Sequence, residues 1–186
     1  MQVLLPHPRL ILLRVRLGAR LRVGRGARVG KGVRIAVAPG AHVVLGAGST
    51  VGGGTRIDVA AGGVDLGAGA TLGKRCVIAA RDRVTVGAQA RLGDEVVLID
   101  FDHGTSDVEV PVRLQGLPTA PIAIGERARI DYGAAILRGV TVGAGAHVGP
   151  RSVVVRDVAP GAEVQGVPAH APKGPRQQRQ APARPA

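Results

Sequence analysis

Ile99-Asp100-Phe101-Asp102-His103 stands just before a stretch, 104–121, that has no regular pattern. An imidazole preceded by two carboxylates can take a proton from a hydroxyl, while a neighbouring carboxylate fixes its tautomer or accepts from the same substrate. His103 is therefore the candidate general base, and Asp100 and Asp102 are candidate substrate-binding groups. The competing reading of His103 is a solvated loop residue. No Ser-His-Asp or Cys-His constellation accompanies it, so a mechanism without a covalent intermediate is expected. The lone cysteine, Cys76, excludes an internal disulfide or a cysteine-built zinc site. His7, His42, His147 and His170 are too scattered to join it in a three-histidine metal centre, so no metal is expected.

What positions these residues is a repeat of six. From Leu17 the chain reads LGARLR, VGRGAR, VGKGVR and IAVAPG; it resumes at Leu45, Leu66, Val86 and Ile124 and runs to about Ala159. Leu, Ile or Val opens each hexad and a small residue usually stands fifth, so a large and a small side chain point inward from a short strand. Glycine, frequent at the second position, is read as supplying backbone angles that a side chain forbids at a corner. The openings at Ile35, Ile57, Ile78 and Leu98 are followed by the next after 10, 9, 8 and 26 residues instead of six. Those four, with Ile136 and Val154, are every third hexad, and none has glycine second. Three hexads thus make one coil of a triangular parallel β-helix, and every insertion leaves from the same corner.

Fifth-position exceptions include Asp82 and Asp102, one coil apart. A carboxylate there is costly unless paired or hydrated, so Asp102 is either a satisfied structural group or one that binds the acceptor. Cys76 falls on an inward position and reads as a buried structural thiol.

Composition agrees with a stacked aliphatic core. Aromatic residues make up 1% of the 186, the only two being Phe101 and Tyr132, against 29 glycines. The net charge of +12 is mostly arginine. Nucleic acid is not favoured as a partner, because single-strand platforms need stacking aromatics and no DNA-reading motif is visible. Residues 1–16 form an irregular N-terminal segment, with alternation in Leu13-Arg-Val-Arg-Leu17 that suggests a strand. Arginines interrupt its apolar run, making a poor signal peptide, and no stretch suffices for a membrane span, so a cytoplasmic location is expected. The β-helix is assigned to 17–170 and a basic, proline-rich disordered tail to 171–186, where Lys173 and Arg176 could reach a phosphate.

Residues 98–170 resemble the hexapeptide-repeat acyltransferases of the maltose and galactoside O-acetyltransferase branch. Matching motifs are Asp102-His103, Ile122-Ala-Ile-Gly125, Ile136-Leu-Arg-Gly-Val-Thr-Val-Gly143, Ala146-His-Val-Gly149, Ser152–Pro160 and Gly166-Val-Pro-Ala169. The resemblance implies an all-β, left-handed parallel β-helix, against the usual right-handed crossover rule. It further implies a homotrimer with sites between subunits, acetyl-CoA as donor, and a sugar or polysaccharide hydroxyl as acceptor. His103 matches the catalytic histidine; Pro150, Val155 and Arg156 fall where the family lines its coenzyme A channel, with Tyr132 where a small residue often stands. The Arg129-Ile130-Asp131 segment departs from the family's Trp-Ile-Gly. A scaffold that has lost activity, or an acyltransferase for a non-sugar acceptor, is the alternative.

Overall fold

The computed structural model describes residues 8–104 and 109–171, apart from the side chains of residues 8, 9 and 11. After helix α1 (Pro8–Leu17) and a 3-10 turn, the first coil holds β1 (Leu21–Val23), β2 (Arg28–Val29) and β3 (Arg34–Val37). The second holds β4 (His42–Leu45), β5 (Thr50–Val51) and β6 (Arg56–Val59); the third β7 (Gly63–Leu66), β8 (Thr71–Leu72) and β9 (Val77–Ala80). The fourth holds β10 (Arg83–Val86), β11 (Arg91–Leu92) and β12 (Val97–Ile99), and the fifth β13 (Ile122–Ile124), β14 (Arg129–Ile130) and β15 (Ala135–Leu137). β16 (Thr141–Val142), β17 (His147–Val148) and β18 (Val153–Val154) make the sixth, and β19 (Glu163–Val164) begins a further turn.

Each coil gives one strand to each of three parallel sheets. Sheet A is β1-β4-β7-β10-β13-β16, sheet B runs β2-β5-β8-β11-β14-β17-β19, and sheet C is β3-β6-β9-β12-β15-β18. The result is a left-handed parallel β-helix of about six turns. Strand alternation sends every second side chain inward. On sheet A, Leu45, Leu66, Val86 and Ile124 stack in register and are all buried. Each such side chain contributes about 1.5–3 kcal/mol, and a column of them fills the prism with no aromatic ring.

The glycines at the second hexad position have a different cause from the one expected. A Cβ on Gly46 would lie 2.5 Å from the carbonyl carbon of Gly67, and one on Gly125 would lie 2.6 Å from that of Gly143. Neither glycine has a left-handed φ. Coils stack too closely for a side chain there. The left-handed residues stand two positions later, and include Arg75, Gln89, Glu95, Arg127 and Arg151 as well as glycines.

The N-terminal end also differs from expectation. Leu13–Leu17 is helical, not a strand. Leu10, Leu13 and Leu17 share one helix face, with Leu10 and Leu17 buried and Leu13 packed against the core, closing the end of the prism. Val15, which the alternating reading would group with Leu13 and Leu17, is 78% exposed. At the other end a bridge between Gln165 and His170 follows β19. Most of the assigned tail, with Lys173 and Arg176, lies outside the described residues, as does His7.

Candidate active site

All the insertions do leave from one corner, between sheets C and A. Residues 38–41, 60–62, 81–82 and, in the fourth coil, the described residues between Asp100 and Pro121 successively fill it. The longest leaves and returns as a short antiparallel stem. Phe101 bridges Thr119, Asp102 N–H donates to Pro118 O at 3.1 Å, and Gly104 N–H donates to Gly116 O at 3.1 Å. His103 therefore sits in the stem of the loop and is exposed.

Asp100 and Asp102 separate sharply. Asp100 has 0% exposure, and its two carboxylate oxygens accept the backbone N–H groups of Arg81 at 2.8 Å and Asp82 at 2.9 Å. Its own carbonyl accepts Ala120 N–H at 2.9 Å, where the loop returns. Asp100 thus ties the corner of the third coil to the base of the loop, and the expected contact with substrate gives way to this structural role, because burial removes it from solvent. Asp102 is exposed rather than inward, and accepts the backbone N–H of His103 at 2.7 Å. Asp82 is half-buried. The inward carboxylate expected at positions 82 and 102 is in fact at 100, because the inward alternation Val96, Leu98 runs on to it before the corner turns.

His103 and Asp102 line an open cleft of about 560 Å³ with Ile99, Phe101, Leu137, Arg138 and Val155. Ile99 and Leu137 are neighbours on the outer face of sheet C, in register. The floor is aliphatic and the rim carries an imidazole, a carboxylate and a guanidinium. Phe101 is held from behind by the Arg81 guanidinium, 5.0 Å from the ring centre, a cation–π contact. Arg138 stands inside the Ile136–Gly143 motif, which attached no role to it; the stacking of β15 on β12 brings it beside the loop.

The four residues expected at the donor site fall on two corners. Val155 reaches the cleft and Arg156 follows it, exposed. Tyr132 and Pro150 lie at the corner between sheets B and C, across the width of sheet C. The Arg151 guanidinium lies 5.5 Å from the Tyr132 ring centre. Arg75 donates to Glu95 at 2.6 Å and 2.9 Å, and hydrogen bonds from Arg75 and then Tyr132 hold the Glu95 carboxyl below its ordinary value. One residue before Tyr132, Asp131 accepts from Arg129 at 2.8 Å and pairs with His147 at 2.9 Å. Burial pushes the Asp131 carboxyl up, but the His147 and Arg129 hydrogen bonds outweigh it and leave it below 3.8. In the core, the Cys76 thiol faces Gly93 O at 3.2 Å, and burial raises it above its ordinary value.

The fold and this corner define a class, the hexapeptide-repeat left-handed β-helix, and known proteins agree with it. No protein-family model matches the chain. It is 31% identical over 93 residues to a "probable acetyltransferase" of Mycobacterium tuberculosis, covering 50% of this chain and 31% of that protein. The chain spans no more than 57% of the length of the four curated relatives it matches. Among solved structures it is similar to the N-acyltransferase AntD of Bacillus cereus, bound to dTDP-4-amino-4,6-dideoxyglucose and coenzyme A. That likeness has a TM-score of 0.74 at 14% identity, covering 90% of each chain. A maltose O-acetyltransferase of Clostridium difficile matches with a TM-score of 0.59 at 21% identity, over 84% of this chain and 71% of that one. At these identities the structures speak for the fold. The resemblance to hexapeptide-repeat acetyltransferases holds in both sequence and fold.

Proposed function

We propose that this chain is an acyltransferase that moves an acetyl group from coenzyme A to a hydroxyl of a sugar or polysaccharide, with His103 as the general base. The observation that carries the reading is the exposed His103 at the rim of an aliphatic cleft, in the one coil where a long loop leaves the scaffold. The relatives support it: three of the four curated ones bear the name of an acetyltransferase, and solved neighbours bind coenzyme A or are named for maltose.

The chemistry asks for little. Acetyl-CoA, as co-substrate, supplies a thioester carbonyl. The neutral imidazole of His103 accepts the acceptor's proton as the hydroxyl oxygen attacks, an effect of about 10²–10⁴ in rate. A backbone N–H answers the developing oxyanion; its collapse breaks the carbon–sulfur bond, and the imidazolium of His103 returns the proton to the departing coenzyme A thiolate. The cleft fits such a donor: Ile99, Leu137 and Val155 offer an apolar wall to its arm, and Arg138 and Arg156 offer charge to its phosphates. Asp102 is placed to accept from an acceptor hydroxyl.

Tyr132 and Pro150 join the site through a homotrimer, in which a neighbouring copy brings its own B-to-C corner to this cleft. Sheet C supports that assembly. Its outer face carries Val77, Val97, Ala135 and Val153 in one column and Ala79, Ile99 and Leu137 in the next, an apolar stripe of the kind that marks interfaces. Light scattering on the purified chain should return three times the 18.9 kDa mass.

The test is thiol release from acetyl-CoA across a panel of sugar acceptors, for the wild type and for His103→Ala. Acceptor-dependent release that falls at least a hundredfold in the variant is expected. Release that is unchanged in the variant removes His103 from its role, and absence of coenzyme A binding by titration overturns the transferase reading.

A further inference from the structure

Charge is unevenly spread along the chain. The first acidic residue is Asp58, and ten arginines and lysines precede it. Five of them, Arg22, Arg25, Arg28, Lys31 and Arg34, come at three-residue intervals within the first coil, and all are exposed. Sheet A carries Arg22, its corner Arg25, sheet B Arg28, the next corner Lys31 and sheet C Arg34. The triangle thus turns a full collar of positive charge round its N-terminal end. Among the described residues none of the five has a carboxylate partner, whereas Arg56 in the next coil pairs with Asp58. Arg34 even lies in register with Arg56, an arrangement of like charges that costs stability.

The end itself is covered by α1, which adds exposed Arg14 and Arg16 and presents two apolar side chains to solvent. Leu12 is 70% and Val15 78% exposed, three residues apart and so on one side of the helix. Unpaired cations lie in one plane around an apolar helix face. We propose that this end of the β-helix docks on an anionic lipid surface, with Leu12 and Val15 seated at the boundary of headgroups and acyl chains and the collar against the lipid anions. A basic helix with aliphatic prongs is what binds in such an interface, and each cation near an anionic leaflet adds about a factor of five in affinity.

Charge alone would suit nucleic acid equally. The two aliphatic prongs would find no partner on a phosphate backbone, and the coil has no aromatic ring on which a base could stack. A second copy of this end would bring collar against collar. The cleft at His103 opens from the fourth coil, about 15 Å along the axis at the usual strand spacing, so docking at the first coil leaves it clear.

The experiment is sedimentation of the full chain with phosphatidylcholine vesicles, with and without phosphatidylglycerol. Binding to the anionic vesicles only, weakened by added salt, is expected. The triple variant Arg25→Glu, Arg28→Glu, Lys31→Glu should bind at least about a hundredfold more weakly. The double variant Leu12→Ser, Val15→Ser, unchanged in charge, should lose about tenfold or more. Equal affinity for neutral vesicles would overturn the proposal. So would a double variant that binds like the wild type, and if duplex DNA is then held as tightly as the vesicles, the collar is a general polyanion site instead. These side chains are exposed, so each variant should melt with the wild type. One that does not is replaced by Arg28→Glu or Leu12→Ser alone, with expected losses of about fivefold and threefold.

Discussion

At the A-to-B corners a glycine lies against the backbone of the next coil, whereas at the C-to-A corners the strand runs on and only then turns. Sheet A and B strands end just before the second hexad residue, which in the six coils is glycine at every such corner except Asp131; in sheet C the same position holds Ala36, Asp58, Ala79, Ile99, Leu137 or Val155. Three of those, Ile99, Leu137 and Val155, line the cleft with His103. One kind of corner sets the spacing of the coils, and the other is free to differ from coil to coil. Loops that carry function are usually hung from rigid scaffolds at such places.

The comparison breaks most visibly at Gly125. In Gly125→Val the added atoms would enter the backbone of Gly143 and Ala144, where no flexible side chain can give way. A loss of about 3 kcal/mol or more is expected, seen as a fall of about 6–12 °C in the thermal midpoint. Ala60→Val, at an exposed C-to-A corner residue, should stay within about 0.5 kcal/mol of the wild type.

Asp100 comes next. Asp100→Ala leaves the N–H groups of Arg81 and Asp82 without their acceptor inside the protein, a cost of about 2–4 kcal/mol by urea unfolding. The proposed transferase activity should fall with it, since the same residue anchors the return of the loop. Asp102→Ala should leave stability almost unchanged, because Asp102 is exposed. Equal destabilisation by the two would remove the distinction drawn between them.

A smaller effect is expected at the B-to-C corner, from Asp131. Its carboxyl lies lower in the folded chain than its ordinary value of 3.8. The stability it adds is therefore fully present above that value and is lost as pH falls through the lower, folded one. Asp131→Asn should flatten this acid limb of a stability–pH curve and leave neutral pH less affected.

The repeat made the triangular coil, its aliphatic interior and the decorated corner legible before any coordinates, because inward and outward positions follow from spacing alone. Three things were not legible. The strand reading of Leu13–Leu17 failed because residues four apart satisfy both a helix face and an alternating strand, and only Leu10 and Val15 tell them apart. Asp100 was missed as the buried carboxylate because the hexad frame was followed across a corner where plain alternation from Val96 and Leu98 gives the answer. Arg138 stood inside a matching motif, but no spacing assigned it to the cleft: it joins through coil stacking, which places it next to residues 35 and more positions earlier in the chain.

The smallest expected effect is the sharpest test of the two kinds of corner. A Gly-Ser insertion between Pro39 and Gly40 enters a C-to-A turn whose tip is exposed, and a Cβ on Gly40 would meet nothing within 4 Å. Of the hydrogen bonds of that turn, Ala38 N–H to Val59 O lies outside the insertion, and only the local Ala41 N–H to Ala38 O bond spans it, at a turn where water can take its place. Lengthening a loop already of four residues adds well under 1 kcal/mol of closure entropy. The same two residues placed between Ala47 and Gly48 meet a different structure. Gly48 N–H donates to Arg25 O in the coil before, and Ala47 O accepts Gly69 N–H from the coil after. The insertion would break bonds in both directions and lift the coils apart. The first variant should melt within about 2–4 °C of the wild type, and the second should not fold cooperatively. If both unfold alike, the C-to-A corner is no freer than the others, and its length differences need another cause.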